Sequence, residues 1–269
     1  MVNAQEWLDK NYPKELKELH ISGWDNVNNR EMPYQLEGSL NLKSFVDLEK
    51  LICVGHSKLT ALDLSSCSNL KSISCFANQL TGIKLPSMAE EKLEGLALHA
   101  NNFPKQDLSM FSQLVNLKSL YVSNRFSGSL KPLQNLTKLR TLYIRDTDID
   151  SGVEFLPDSM EILFCSVLNN KDAKCKEIYN LFASEQVVVE LEEHQEGHYI
   201  KNLPQKLQEY KQKVKAKAWE LLKDELEEKD QQIQHYQKEN QNLLNLYNEL
   251  WEKVINKQEV QIEVPPKSK

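Results

Sequence analysis

Apolar residues in the first two thirds of the chain recur as a short phrase, filled at its first, fourth and sixth places, with mostly polar residues between. The clearest copies are Leu117, Leu120, Val122 and Leu139, Leu142, Ile144. Upstream lie Leu93, Leu96, Leu98, then Leu70, Ile73, Cys75, then Leu48, Leu51, Cys53, and first Leu16, Leu19, Ile21; downstream is Met160, Leu163, Cys165. From Leu48 on, the phrases start every 21 to 24 residues. Each reads as one short strand and the bend after it. A single copy cannot bury its own apolar face, so it needs a neighbour above and below.

In several copies the bend carries Asn and a further apolar residue, as in Asn78 with Leu80 and Asn101 with Phe103. Over roughly the first 170 residues the chain thereby resembles the leucine-rich repeat family, with its LxxLxLxxNxL phrase. The opening AQEWLDKNYP and the Cys- and Asn-containing copies resemble a group of short fungal repeat proteins with a C-terminal coiled coil, a likeness that implies no activity. The resemblance implies an α+β repeat fold, a leucine-rich repeat solenoid forming a short arc over residues 16–170. The ninth-place Asn would bond neighbouring backbone; His56 and Arg125 stand there in two copies of irregular length.

Other elements flank or interrupt these phrases. Residues 1–15 read as a capping helix, with Asn3 accepting from the backbone at Glu6 and Glu6 reaching back. Gly23 to Leu36, rich in Asn, reads as an inserted loop. Leu59, Leu62 and Leu64 fall at half-repeat spacing, which predicts strands on both sides of each coil there. Leu108, Phe111, Leu114 and Leu130, Leu133, Leu136 predict short helical turns on the convex side. Residues 171–200 read as a C-terminal cap and an acidic linker: a helix over Cys175–Gln186 with Ile178, Leu181 and Phe182 on one face, then a connector from Glu190 to Gly197.

From residue 201 to 260 the period changes. Apolar residues alternate at three and four: Trp219, Leu222, Leu226, Ile233, Tyr236, Leu243, Tyr247, Leu250 and Val254, with Lys229 and Asn240 on the same seam. Sustained over about five heptads, this predicts a long helix forming a coiled coil and a homodimer. Asn240 on the seam would fix register at some cost in stability. Leu203, Leu207, Tyr210 and Val214 follow another phase, so a slip is expected near Ala216 to Trp219. Pro265 and Pro266 lie in a tail, 261–269, read as disordered.

Charge and chemistry narrow the picture. A net charge of −6 and a pI near 5.6 argue against a general nucleic-acid binder. No run of 18 apolar residues exists to span a membrane, and the first residues lack a signal peptide's basic start and apolar core. The five cysteines are then expected to be reduced thiols of a cytoplasmic protein, with Cys53, Cys75 and Cys165 packed in the core. His194 and His198, near Glu192, Glu193 and Glu196, are the one metal-like arrangement. Gly197 lies between them, no HExxH is formed, and a solvated linker is the simpler reading. No phosphate loop, GxSxG or kinase signature occurs, so neither an enzyme nor a cofactor is expected.

What such a fold offers is a surface. Fifth and seventh places would point to the concave face. There the fifth places bring Tyr121, Tyr143 and Phe164, and the seventh places Phe76, His99 and Arg145. Tyr and Arg often carry binding energy at interfaces, although exposed aromatics on strands also follow from β-propensity alone. The expected function is a non-enzymatic scaffold that binds a protein or peptide on this face and dimerises through the helix. One alternative is a basic amphipathic helix over Lys206–Lys217 for calmodulin or an acidic membrane surface; the other is a regulatory subunit of an enzyme on another chain.

Overall fold

The apolar phrases become strands because their outward places alternate with side chains that have nowhere to go but inward. Leu117, Leu120 and Val122 are fully buried, and the intervening Ser119 and Tyr121 are not. A computed structural model of the protein describes residues 2–22, 24–25, 30–31, 35–55, 58–123, 125–167, 170–182, 186–191, 195–200 and 202–259. At 24–25, 30–31, 186–191, 195–199 and 254–259 the description covers the backbone alone.

In chain order the strands are β1 (Val2–Asn3), β2 (Glu18–Ser22), β3 (Trp24–Asp25), β4 (Arg30–Glu31), β5 (Leu36–Asn41), β6 (Lys50–Val54), β7 (Lys58–Asp63), β8 (Ser72–Ser74) and β9 (Gly82–Lys84). Then come β10 (Gly95–Ala97), β11 (Ser119–Tyr121), β12 (Ser127–Ser129), β13 (Thr141–Tyr143), β14 (Asp148–Ser151), β15 (Ile162–Phe164), β16 (Gln186–Leu191) and β17 (Gln195–Ile200). The helices are α1 (Ala4–Asn11), α2 (Ala89–Lys92), α3 (Cys175–Leu181) and α4 (Leu203–Glu259).

Nine strands form the largest sheet, in the order β16-β17-β15-β13-β11-β10-β8-β6-β2. From β2 to β15 every pairing is parallel, with Leu19, Leu51, Ile73, Leu96, Leu120, Leu142 and Leu163 in register. A second, parallel sheet has the order β1-β5-β7-β9, and β12 pairs with β14 in a third. One apolar core takes inward residues of both larger sheets, Leu40 and Leu62 beside Leu51 and Ile73.

This corrects the expected fold class. The described residues form mostly parallel β-sheets followed by a C-terminal helix, an α/β-like arrangement, and not the short leucine-rich repeat arc of an α+β repeat. The physical reason lies in the half-way phrases. Lys58–Asp63 buries Leu59 and Leu62 while leaving Thr60 outward and pairs as a strand, as its half-repeat spacing predicted, so that in this part a second parallel sheet backs the first. The second sheet stops at β9. Pro104 follows in the next stretch and has no N–H to donate, and parallel pairing resumes only at Gln106 with Phe126. Between β2 and β15, the helical turns among the described residues are single 3-10 turns over Ser109–Phe111 and Lys131–Leu133, in the expected Leu108–Leu114 and Leu130–Leu136 stretches, and over Val153–Phe155, together with α2.

Bends after the strands share one device. Ala77, Ala100 and Asp146 take φ of 54°, 53° and 58°, a left-handed conformation that side chains seldom adopt. The next residue holds each bend. Asn78 Nδ2 donates to the Cys53 carbonyl at 2.9 Å, Asn101 Nδ2 to that of Cys75 at 2.9 Å, and Thr147 Oγ1 to that of Ile144 at 2.7 Å.

At the N-terminal end, Asn3 Oδ1 accepts the Glu6 N–H at 3.0 Å and caps α1, whose Ala4 and Leu8 close the core. The segment expected as an inserted loop contains the short antiparallel β3–β4 pair. Near the other end, α3 buries Cys175 and Ile178, with Phe182 just after it, but Leu181 is exposed, so the expected apolar face is rotated. The expected acidic linker is instead the hairpin β16–β17, joined antiparallel to β15. Val187, Val188 and Val189 favour that extended backbone over a solvated connector.

Contacts divide the chain into two units, Met1–Lys211 and Gln212–Lys269, about ten residues beyond the boundary expected from composition. The first turns of α4 belong to the first unit: Leu203 and Leu207 are buried in its core, and Lys211 Nζ donates to Asp158 at 2.6 Å. The remainder of α4 is a lone helix with its apolar residues exposed. No helix among the described residues is long and apolar enough to cross a membrane. The tail at 261–269 lies outside the described residues.

Candidate protein-binding surface

In-register pairing sets Tyr121, Tyr143 and Phe164 side by side on three adjacent strands. Neighbouring strands lie about 4.8 Å apart, close enough for rings at matching places to touch. Ring centroids are 5.8 Å apart for Tyr121 and Tyr143 and 5.7 Å for Tyr143 and Phe164. Two residues further along, Phe76 and His99 stack at 4.5 Å with an interplanar angle of 12°. His99 also meets Tyr143 at 5.5 Å and Tyr121 at 6.1 Å. The Arg145 guanidinium lies 5.6 Å from the Tyr143 ring centre. All six residues singled out on the strands therefore form one cluster. They are half-buried by one another, a more closed face than an open row of side chains.

The electrostatics centre on Arg145. Its Nε lies 3.6 Å from Asp146 Oδ2, and the two side chains are only 11% and 3% exposed. Asp146 Oδ1 also accepts the Asn170 N–H at 3.3 Å, tying the loop before α3 to this bend. Burial, and then the nearby Arg145 charge, push the His99 pKa down to about 4, so the ring is neutral at pH 7. Burial raises the Tyr143 phenol, Arg145 opposes that rise and Asp146 adds to it. His99 Nδ1 and Ser166 Oγ are buried without a hydrogen-bond partner. Such a cluster offers stacking area and one charge-compensated guanidinium.

Asp146 was not among the residues expected here. The signal for it was local: a second acid, Asp148, follows in the run Arg145-Asp146-Thr147-Asp148, and an acid beside a strand-borne Arg is a natural counter-ion. Further concavities lie elsewhere among the described residues. One, of about 400 Å³, is lined by Leu40, Ala61, Leu62, Gly82 and Ile83 of the four-stranded sheet, and one of about 510 Å³ by Asn101, Lys105, Arg125 and Asp148 at the bends.

On the helix, Leu222, Leu226, Ile233, Tyr236, Leu243, Tyr247 and Leu250 are each more than half exposed, and Asn240 is exposed among them. Val254 lies outside the described side chains. Leu221, Leu244, Leu246 and Trp251 are equally exposed and were missed, because the three-four rule counts only the seam.

Among the described residues no group of three or more His, Cys, Asp or Glu could hold a metal ion. His56, Glu192, Glu193 and His194 lie outside the described residues, and the side chains of Glu196 and His198 outside the described side chains. All five cysteines are free and buried; burial pushes Cys53 up to about 12 and Cys67 to about 11, and raises Cys75 and Cys165 as well. No protein-family model matches the chain, and no curated protein matches it in sequence.

Proposed function

We propose that this protein is a non-enzymatic protein–protein interaction scaffold with two working surfaces. The helix beyond Lys211 joins it to a second copy of itself, and the aromatic cluster around Tyr143 takes up a protein or peptide. One observation carries the reading. Twelve of the fifteen large apolar side chains that stand exposed among the described residues lie between Trp219 and Trp251. An isolated amphipathic helix gains its stability mainly from packing its apolar stripe, so the stripe implies another chain.

The reading as a basic target helix is weaker. Leu207, which such a helix would present to calmodulin or lipid, is buried in the core of the first unit, Tyr210 packs against that core, and Lys211 is paired with Asp158. A regulatory subunit would use the same two surfaces, with an enzyme as the partner.

Light scattering separates the helical part of the reading: the full chain gives a mass of at least two copies, and a chain ended at Lys211 gives one. A full chain of one copy at tens of micromolar (on the order of what a five-heptad coil tolerates) contradicts it. For the aromatic cluster, displayed peptides selected on the protein should lose about 2 kcal/mol or more of affinity on Tyr143→Ala. Glu94→Ala, whose exposed side chain pairs with Lys118 at 2.7 Å, should leave binding unchanged. Equal affinity in both variants would move the binding surface elsewhere.

A further inference from the structure

The bends after β10, β11 and β13 are not of one length. Four residues lie between Leu98 and Phe103 and between Ile144 and Ile149, but only three between Val122 and Phe126. The short bend is the middle one of the three. Beside it opens the concavity of about 510 Å³, lined by Asn101, Asn102, Lys105, Arg125, Asp148 and Asn170. Its volume falls in the range of small-molecule sites, and every lining residue is polar or charged.

The backbone decides how the charges meet. The Gln106 N–H donates to the Arg125 carbonyl at 3.1 Å and the Ser127 N–H to the Gln106 carbonyl at 2.9 Å, so these two segments run parallel. Lys105 and Arg125 each come one place before the paired Gln106 and Phe126. Two like charges therefore stand at matching places on neighbouring segments, whose backbones lie about 4.8 Å apart. Asp148 is the one acid of the lining, and its Oδ2 lies 3.6 Å from Lys105 Nζ. Arg125 makes no ion pair with a described residue, so one exposed guanidinium is left over in the wall.

The amides play two parts. Asn101 Oδ1 accepts the Leu80 N–H at 2.9 Å and its Nδ2 donates to the Cys75 carbonyl, which makes it a fixed wall. Asn170 Oδ1 accepts the Asp172 N–H at 3.2 Å, leaving the amide nitrogen to donate. Asn102 gives its backbone N–H to the Leu80 carbonyl at 3.0 Å and keeps its side-chain amide.

We propose that this concavity binds a small anion that also carries hydroxyl groups, a sugar acid or a sugar phosphate. The planar fork of Arg125 suits a carboxylate or phosphate, which it can hold through two parallel hydrogen bonds. The Asn102 and Asn170 amides supply donors for further oxygens. Asp148 accepts from a hydroxyl, and its charge disfavours an anion that has none to offer. The site stands apart from the Tyr143 cluster and does not depend on it.

Isothermal titration calorimetry of the full chain with glucuronate, glucose 6-phosphate, glucose and inorganic phosphate tests it. The expected result is saturable binding of glucuronate or glucose 6-phosphate at one site, on the order of 1 mM or tighter. Which of the two binds more tightly identifies the acid as carboxylate or phosphate. Glucose, which lacks the charge, and inorganic phosphate, which lacks the polyol, should each bind at least about tenfold more weakly. Arg125→Gln should weaken the tighter probe by about tenfold or more, and Arg125→Lys should restore part of that loss. Tyr143→Ala should leave it unchanged. Neither acid binding at about 10 mM, equal binding by Arg125→Gln, or inorganic phosphate binding as tightly as both acids would each overturn the inference, and none of these outcomes bears on the aromatic cluster.

Discussion

The two units of this chain both carry regularly spaced apolar residues and leave them in opposite states. In Met1–Lys211, Leu51, Leu96, Leu120 and Leu142 are at most 1% exposed. In Gln212–Lys269, the leucines at 222, 226, 243 and 250 are more than half exposed. The difference is one of neighbours along the chain. Each strand phrase is followed about 22 residues later by another, so its apolar face is covered by its own sequence. Among the described residues the helix has no such successor, and its stripe stands exposed; in the proposed reading another molecule covers it. If the proposed self-association holds, burial within the chain gives way to burial between chains near Lys211.

Truncating one apolar side chain in each unit should bring out this difference most visibly. Leu142→Ala, at the centre of the nine-stranded sheet, should cost about 2–5 kcal/mol in denaturant unfolding. Leu250→Ala should leave unfolding of the sheets unchanged and weaken only self-association. Equal losses from both would mean that the helix shares the core.

The sequence made the inward residues of the strands legible, because a three-two spacing can close only by stacking, and Cys53, Cys75 and Cys165 are buried as their places required. It did not reveal the fold class. Half-repeat spacing did predict the strand at Lys58–Asp63, but not that Leu36–Asn41 and Gly82–Lys84 would join it in a second parallel sheet. The β16–β17 hairpin was obscured by acidic residues that dominate composition while Val187 to Val189 decide local backbone. Of the candidate surface, the six ring and Arg positions could be read from matching places, whereas Asp146 and the half-burial of the cluster depend on side-chain directions that spacing does not carry.

pH sharpens the comparison from the other side. His99 ionises near 4 in the folded chain against an ordinary 6.5, so the unfolded chain takes up a proton first as pH falls. The stability given by the neutral ring is complete above pH 6.5 and is lost as pH drops from 6.5 towards 4, by up to about 3 kcal/mol. Asp9 and Glu49, held below their ordinary values by hydrogen bonds to Lys14 and Lys71 first, contribute only further down the pH scale. Urea unfolding of the chain ended at Lys211, measured between pH 7 and 5, should show this slope, and His99→Phe should flatten it. An unchanged slope in His99→Phe would mean that the ring is not enclosed. Helix self-association should be indifferent to the same change at His99.

A smaller effect is expected on the helix itself. Asn240→Leu should raise the melting temperature of the helical transition by several degrees, roughly what 1 kcal/mol gives a small domain, and broaden the distribution of assembly sizes, since the polar seam residue no longer fixes register. No change in either would place Asn240 off the seam.

Thermal melting of the full chain, followed by far-ultraviolet circular dichroism over a hundredfold range of protein concentration, tests the central division most directly. A transition dominated by helical signal should move to higher temperature as concentration rises, because association stabilises by mass action. The transition of the parallel sheets should stay where it is. A helical transition that ignores concentration, or a sheet transition that follows it, would contradict the account.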